Sequence, residues 1–132
     1  MTPSEYLVAS ARTEHTPQFF RGLEHEGRAP ELMHAAMGMV TESGEFIDAL
    51  KKLTIYGKPL DRTNLIEEIG DVQWYVALAC RELGVSFEEV FDRNIEKLKV
   101  RFPDKFTSDA ALNRDLDVER VALAGQPVIG DK

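Results

Sequence analysis

The chain has 132 residues, 43% of them hydrophobic and 30% charged, which is typical of one soluble globular domain spanning 1–132. Its formal net charge of −7 argues against a general nucleic-acid-binding protein, which would present a basic surface. No apolar run reaches transmembrane length and the first residues lack a secretory signal, so we expect a cytoplasmic protein without a membrane partner.

The amino-terminal part is expected to contain one short helix and a loop. Ser4 can cap a helix that runs to about Thr13, with Tyr6 and Leu7 facing inward. Residues 15–28 are polar and contain glycine, which predicts a loop. Its adjacent phenylalanines at 19 and 20 are expected to dock on the core, because exposing both would be costly.

Two long helices should follow, joined by a short connection. Pro30 suits the first turn of a helix that runs to about Leu53. Residues 54–60 contain glycine and proline and predict a turn. The next helix should begin between residues 61 and 64, each of which can cap it, and should end at Leu83 before Gly84.

The fourth helix is predicted to begin at a capping box over residues 86–89 and to end before Pro103. Its inward stripe should consist of Phe87, Val90, Phe91, Asn94, Leu98 and Phe102. The tail, 107–132, should hold one further helix at about 108–124. No stretch alternates with period two, so we predict an all-α, antiparallel four-helix-type bundle with extra helical segments at both ends.

Two acidic pairs lie in the second and third helices, Glu42 with Glu45 and Glu68 with Asp71. A spacing of three residues puts both members of a pair on one side of a helix. On a helical wheel, Glu42 and Glu68 fall inside the apolar sector and the other two at its edge. Such pairs are usually solvated, but carboxylates half inside a core must shift their pKa, meet cations or bind metal.

If the two helices pack antiparallel, the four carboxylates converge. Oxygen ligands without histidine or cysteine suit a hard cation, so Mg²⁺ is the expected cofactor and Mn²⁺ a substitute. Mg²⁺ that is held by carboxylates and also binds substrate phosphates is the usual arrangement in nucleotide chemistry.

Three stretches occur in order within about 30–106: TESGEFIDALKK at 41–52, EEIGDVQWY at 67–75 and NIEKLKVRFP at 94–103. Together they resemble the MazG-type, all-α nucleoside triphosphate pyrophosphohydrolases of phages and bacteria. The resemblance implies hydrolysis of a nucleoside or deoxynucleoside triphosphate between the α and β phosphates, giving the monophosphate and pyrophosphate. It also implies that four residues bind metal: Glu42, Glu45, Glu68 and Asp71.

Polar residues near these motifs are candidates for substrate binding. The resemblance assigns Asn94 and Lys97 to the site, and Lys97 is expected to act in catalysis by stabilising charge on the leaving pyrophosphate. Arg101, one turn further on, can support it. Lys52 can reach a phosphate or pair with Asp48, and both interpretations stay open.

Aromatic residues follow the second acidic pair. Tyr75 lies one turn after Asp71, and the resemblance makes it a contact to sugar or base instead of simple core packing. Trp74 is predicted to point away from the metal. The resemblance also points to a homodimer or a dimer of dimers, and the tail is a candidate for wrapping a neighbouring subunit.

Two other functions stay open on the sequence. One is an enzyme similar to phosphoribosyl-ATP pyrophosphohydrolase, which has a related fold and metal chemistry. The other is a helical module that binds a nucleotide without turnover. The sequence does not single out the general base.

Overall fold

The computed structural model describes residues 1–15 and 29–125. These residues form helices and connections without any strand, and the predicted all-α class with extra helical segments at both ends is confirmed. Within the described residues, no helix has the length and apolar character needed to cross a membrane. The helices are α1 Pro3–Ser10, α2 Ala29–Thr54, α3 Arg62–Leu83, α4 Phe87–Arg101, α5 Ser108–Leu112 and α6 Leu116–Leu123.

The chain divides into two compact units, Met1–Ser86 and Phe87–Lys132, which are described separately below. The expectation of a single domain over 1–132 therefore stays a prediction. The predicted docking of Phe19 and Phe20 falls in 16–28, outside the described residues.

Helix α1 is capped by Thr2, so the prediction of Ser4 as its cap is wrong. The Thr2 hydroxyl accepts a hydrogen bond from the Glu5 amide, and the Glu5 carboxylate accepts one from the Thr2 amide at 2.7 Å. Pro3 occupies the first helical position, where its fixed φ and missing N–H are favourable. The helix ends at Ser10, and a 3₁₀ turn continues over Ala11–Thr13.

Helices α2 and α3 form an antiparallel pair that makes up most of the first unit. Asp61 caps α3 by accepting a hydrogen bond from the Asn64 amide, and Gly84 ends it with φ of 67° in the left-handed region. The connection between the helices, 55–61, is short enough to keep them adjacent. Position 38 faces 75 and position 42 faces 71, a register in which the helices run in opposite directions.

Several buried residues of α2 and α3 are small. Ala35 and Ala77 are fully buried and Ala49 is 9% exposed, and the larger Leu78 is also buried. Gly38 makes the closest approach, because a Cβ placed on it would lie 2.2 Å from ring atoms of Tyr75. The Tyr75 ring therefore occupies the space that a side chain at position 38 would need.

Replacing Gly38 with alanine is expected to destabilise the protein, because either the Tyr75 ring or the α2 backbone must move. Overpacking of this kind costs about 1–3 kcal/mol. Gly44→Ala is the matched control on the same helix: nothing lies within 4 Å of its Cβ position. That change should instead stabilise the helix by about 0.5–1 kcal/mol. Urea unfolding measures both, and equal effects would contradict this packing.

In the second unit, α4 packs against α6 and the tail is broken into two helices. The predicted single helix at 108–124 is wrong, because Asn113 ends α5 and the Asp115 carboxylate caps α6 by accepting hydrogen bonds from the Asp117 and Val118 amides. Gly125, with φ of 72°, follows α6 as expected.

The inward stripe predicted for α4 is only partly correct. Phe87 is buried and Leu98 and Phe102 are half-buried, but Val90, Phe91 and Asn94 are exposed. The reason is that α4 packs on α6 through a different side, which carries Arg93 and Arg101.

A buried ion-pair triad joins α4 to α6. Glu119 is 4% exposed, and its carboxylate accepts hydrogen bonds from Arg101 Nε and Arg114 Nη2, both at 2.7 Å. Arg101 first, and then Arg114, hold the pKa of the Glu119 carboxyl well below its usual range. The triad therefore stabilises the second unit only while Glu119 is ionised.

The sign of this linkage gives a testable pH dependence. A depressed carboxyl pKa contributes stability that is complete above the ordinary glutamate pKa and declines as pH falls below it. Between about pH 6 and pH 3, the Tm of the wild type should fall more steeply than that of Glu119→Gln, which cannot titrate. Glu96→Gln, which changes an exposed carboxylate on α4, should keep the wild-type slope. Parallel curves for all three proteins would contradict the role of the triad.

Candidate metal centre

Three carboxylates meet where α2 faces α3. Glu42 of α2 and Glu68 and Asp71 of α3 each offer an oxygen, and these oxygens all lie within 4.8 Å of one another. Glu68 is 5% exposed and Glu42 is half-buried, whereas Asp71 and Glu45 are exposed. This burial agrees with the helical wheel, which put Glu42 and Glu68 inside the apolar sector and the other two at its edge.

The electrostatics of the cluster are unfavourable without a cation. Burial raises the pKa of the Glu42 carboxyl, and the neighbouring Glu45, Asp71 and Glu68 carboxylates raise it further. A weak hydrogen bond from the Thr41 hydroxyl lowers this pKa and offsets part of the increase. Within 1–15 and 29–125, no lysine or arginine forms an ion pair with the three clustered carboxylates.

The buried member of the cluster is held by an amide. Asn64 Nδ2 donates a hydrogen bond of 2.6 Å to Glu68 Oε1, which orients the carboxylate without neutralising it. Crowded, oriented and uncompensated carboxylates are a donor set that fits Mg²⁺ or another hard divalent cation. The residues present therefore suit the expected metal.

Glu45 lies beside this cluster and not within it. It lines a neighbouring cavity of about 440 Å³ together with Asp48, Lys52, Asn64 and Glu68. Lys52 Nζ lies 3.0 Å from Asp48 Oδ2, so the pairing that was one of its two predicted roles is formed. Hydrogen bonds from Lys51 and Lys52 lower the pKa of the Asp48 carboxyl. Lys52 nevertheless borders the cavity that Glu45 and Glu68 share.

A second cavity of about 330 Å³ adjoins the cluster on another side. It is lined by Thr13, Glu42, Asp71, Trp74 and Tyr75. The prediction that Trp74 points away from the metal is wrong, because it lines a cavity with two of the clustered carboxylates. Trp74 follows Asp71 by three residues, the spacing that aligns the acidic pairs themselves, and this was the signal that could have placed it.

The aromatic wall of this cavity is a perpendicular pair. The ring centroids of Trp74 and Tyr75 lie 4.9 Å apart at 81°, and the His34 ring meets Tyr75 edge-on at 5.6 Å. Burial raises the pKa of the Tyr75 hydroxyl, and the Glu42 and Asp71 carboxylates add to the shift. We therefore expect a neutral, uncharged Tyr75 next to the acidic cluster.

Sequence reasoning missed several residues that shape the site. Asn64 precedes Glu68 by four residues, a helical spacing that could have revealed it. Gly38 also precedes Glu42 by four residues, but its role depends on the Tyr75 ring of α3, which packs against it. Arg81 gave no signal, because its partners lie in the distant amino-terminal segment.

The remaining predicted site residues lie on α4 in the second unit. Lys97 is half-buried and Asn94 is exposed. Arg101 is bonded to Glu119. Their roles toward a nucleotide stay predictions.

Comparison with known proteins decides the family. Residues 31–106, more than half of the chain, match the MazG nucleotide pyrophosphohydrolase domain. This chain belongs to the MazG family. Every residue of the carboxylate cluster lies within the matched MazG region, whereas Thr13 lies outside it.

One curated protein similar to this MazG chain is the "Gene 37 protein" of Mycobacterium phage L5, which is 36% identical over 74 residues. The alignment covers 53% of this chain and 65% of the phage protein, so the chain spans just under two thirds of that relative's length. No solved structure matches the chain.

Divalent metal should stabilise this MazG protein by relieving repulsion among the three carboxylates. At a hundredfold excess over Kd, Mg²⁺ is expected to add about 2–3 kcal/mol and to raise the Tm by several degrees. Glu68→Gln should lose most of this increase. Glu67→Gln removes the same charge from the neighbouring exposed position and should keep it. If both variants gained as much as the wild type, the cluster would not be the metal site.

Proposed function

We propose that this protein hydrolyses nucleoside or deoxynucleoside triphosphates between the α and β phosphates, with Mg²⁺ as cofactor and Mn²⁺ as a substitute. The products are the nucleoside monophosphate and pyrophosphate. The observation that carries the proposal is the uncompensated cluster of Glu42, Glu68 and Asp71, in a chain of the MazG nucleotide pyrophosphohydrolase family.

Glu42, Glu68 and Asp71 would hold the metal, and Glu45 would complete the set from the adjoining cavity. Glu45 is exposed and belongs to α2 one turn after Glu42, so its side chain has room to reorient toward a cation. A bound Mg²⁺ would neutralise triphosphate charge and lower the pKa of a water molecule. Asn64 keeps the buried Glu68 carboxylate in place for this task.

The reaction needs a base and a means of stabilising the leaving group. The oxygen of the attacking water forms the new bond to the α-phosphorus. One of the clustered carboxylates accepts a proton from that water. The bond from that phosphorus to the bridging oxygen breaks, and the electron pair leaves with pyrophosphate. Positive side chains stabilise the growing charge.

Among the proposed cations, Lys97 has the leading role. Lys52 is paired with Asp48 and Arg101 with Glu119, so each would have to share its hydrogen bonds with a phosphate. Asn94 is proposed to orient a phosphate oxygen, and Tyr75 to contact the sugar or base.

Self-association as a homodimer or dimer of dimers is part of the proposal. Its support is a set of exposed apolar side chains on α2 and α3, including Val40 at 73%, Ile47 at 64% and Ile69 at 52% exposure. Ile47 and Ile69 line one cavity together with Phe46 and Val72, and exposed apolar surface of this kind favours protein interfaces. A solution mass near 14.9 kDa by light scattering would contradict self-association.

Pyrophosphate release from a panel of nucleotides tests the reaction directly. In water enriched in ¹⁸O, attack at the α-phosphorus puts the label in the monophosphate, whereas attack at the β-phosphorus puts it in pyrophosphate. Glu42→Gln and Glu68→Gln should lower turnover by several orders of magnitude for every base, and Glu67→Gln should not. Activity confined to phosphoribosyl-ATP, or nucleotide binding without turnover, would identify the alternative functions instead.

Lys97→Ala separates charge stabilisation from metal binding. Its loss should raise the barrier by about 2–4 kcal/mol, as for single oxyanion donors, while Mg²⁺ affinity is retained. Glu45→Ala should lower both turnover and Mg²⁺ affinity. Near-wild-type turnover of Glu45→Ala at saturating Mg²⁺ would remove Glu45 from the proposed metal site.

A further inference from the structure

The amino-terminal segment is fastened to α3 beside the aromatic cavity. Arg81 of α3 makes most of the attachment, since its Nε donates to Glu14 Oε2 at 2.7 Å and its Nη1 donates to Ser10 Oγ at 2.8 Å and to the Leu7 carbonyl at 2.9 Å. One side chain thus holds the end of α1 and the 3₁₀ turn that follows it.

This attachment brings Thr13 to the indole of Trp74. Trp74 Nε1 donates a hydrogen bond of 2.8 Å to Thr13 Oγ1, and the same hydroxyl donates to the Ser10 carbonyl at 3.2 Å. The Thr13 hydroxyl is therefore used as acceptor and donor together. It fixes the plane of the indole from a segment more than sixty residues away in the sequence.

The cavity next to this hydrogen bond has two chemically different walls. Trp74 and Tyr75 supply flat apolar rings, and Glu42 and Asp71 supply metal-binding oxygens. A ligand with an uncharged planar ring at one end and metal-bound phosphates at the other matches both walls, because bases pack well on aromatic faces. A nucleotide has this chemistry.

We propose that Thr13 and Arg81 are positioning residues for nucleoside recognition: they hold the Trp74 indole where the base and sugar of the substrate bind. This inference rests on the proposed function and deepens it. Both Thr13 and its neighbours in the 3₁₀ turn lie outside the stretch 31–106 that matches the family. The segment that positions the indole is thus a part of this chain that the family match does not cover.

Trp74 is the single tryptophan of the chain, so its fluorescence reports directly on the cavity. The whole protein is titrated with nucleoside 5′-monophosphates at saturating Mg²⁺, where no hydrolysis can occur, and the Kd is taken from the change in emission. Thr13→Val removes the hydroxyl and keeps the shape, and it should weaken binding about three- to tenfold, the range for one hydrogen bond. Thr13→Ser keeps the hydroxyl and should restore the wild-type Kd.

Two further variants give the experiment its controls. Thr54→Val makes the same chemical change at the end of α2, where the hydroxyl donates to the Leu50 carbonyl of the same helix. This variant should leave the emission and the Kd unchanged. Arg81→Lys keeps the charge but loses the forked donor geometry, and should resemble Thr13→Val in emission and in Kd. With triphosphates and Mg²⁺, the losses should fall on KM and alter the ranking of bases, with kcat nearly constant.

The outcomes separate this inference from the proposed function. If the wild type releases pyrophosphate but Thr13→Val binds every nucleotide as tightly as Thr13→Ser, the inference is overturned and the proposed function stands. If no triphosphate is hydrolysed but nucleotide binding depends on the Thr13 hydroxyl, the proposed function fails and the recognition site stands. Emission unchanged by every nucleotide in an active wild type would also overturn the inference.

Discussion

The close contact between α2 and α3 is the constraint on which the candidate site depends. Gly38 lets the two helices approach until ring atoms of Tyr75 fill the space that a side chain at position 38 would need. At this separation an oxygen of each of Glu42, Glu68 and Asp71 lies within 4.8 Å of the others. Helix packing therefore brings like charges together, no lysine or arginine among the described residues pairs with them, and a cation would relieve the repulsion.

The amino-terminal segment adds a second constraint. Its attachment uses Arg81 as a single multidentate donor to Glu14, Ser10 and the Leu7 carbonyl. The result is a cavity with one wall from the long helices and another from residues far away in sequence. This wall lies outside the stretch 31–106 that matches the family, whereas the three carboxylates lie inside it.

Much of this arrangement could be predicted from the sequence, and the failures have physical reasons. Helical periodicity placed Glu42 and Glu68 inside their apolar sectors because burial on a helix depends mainly on angle. The same reasoning failed for Asn94. Helical angles show which residues share one side of a helix, but they do not show which side packs against another helix. The prediction for Trp74 failed because Thr13, which completes its cavity, lies in an amino-terminal segment far from the motif.

Local chemistry was similarly informative only where one answer dominates. Gly84 ends α3 as expected, since a left-handed C-cap strongly favours glycine, and Asp61 is the member of the predicted range 61–64 that caps its start. At the start of α1, threonine and serine are both competent caps, and the proline at position 3 favours Thr2. In the tail, Asn113 and Asp115 interrupt a periodic pattern that apolar spacing alone would continue.

The strongest argument that the cluster is functional comes from comparing two buried glutamates in the same chain. Glu119 and Glu68 are 4% and 5% exposed, so both have given up almost all of their contact with water. Glu119 forms ion pairs with Arg101 and Arg114, an arrangement that compensates a buried carboxylate in a purely structural role. Glu68 receives one neutral amide and two further carboxylates nearby. Among the described residues, Glu68 thus lacks the cations that compensate Glu119, and a divalent cation held by the three carboxylates would supply that positive charge.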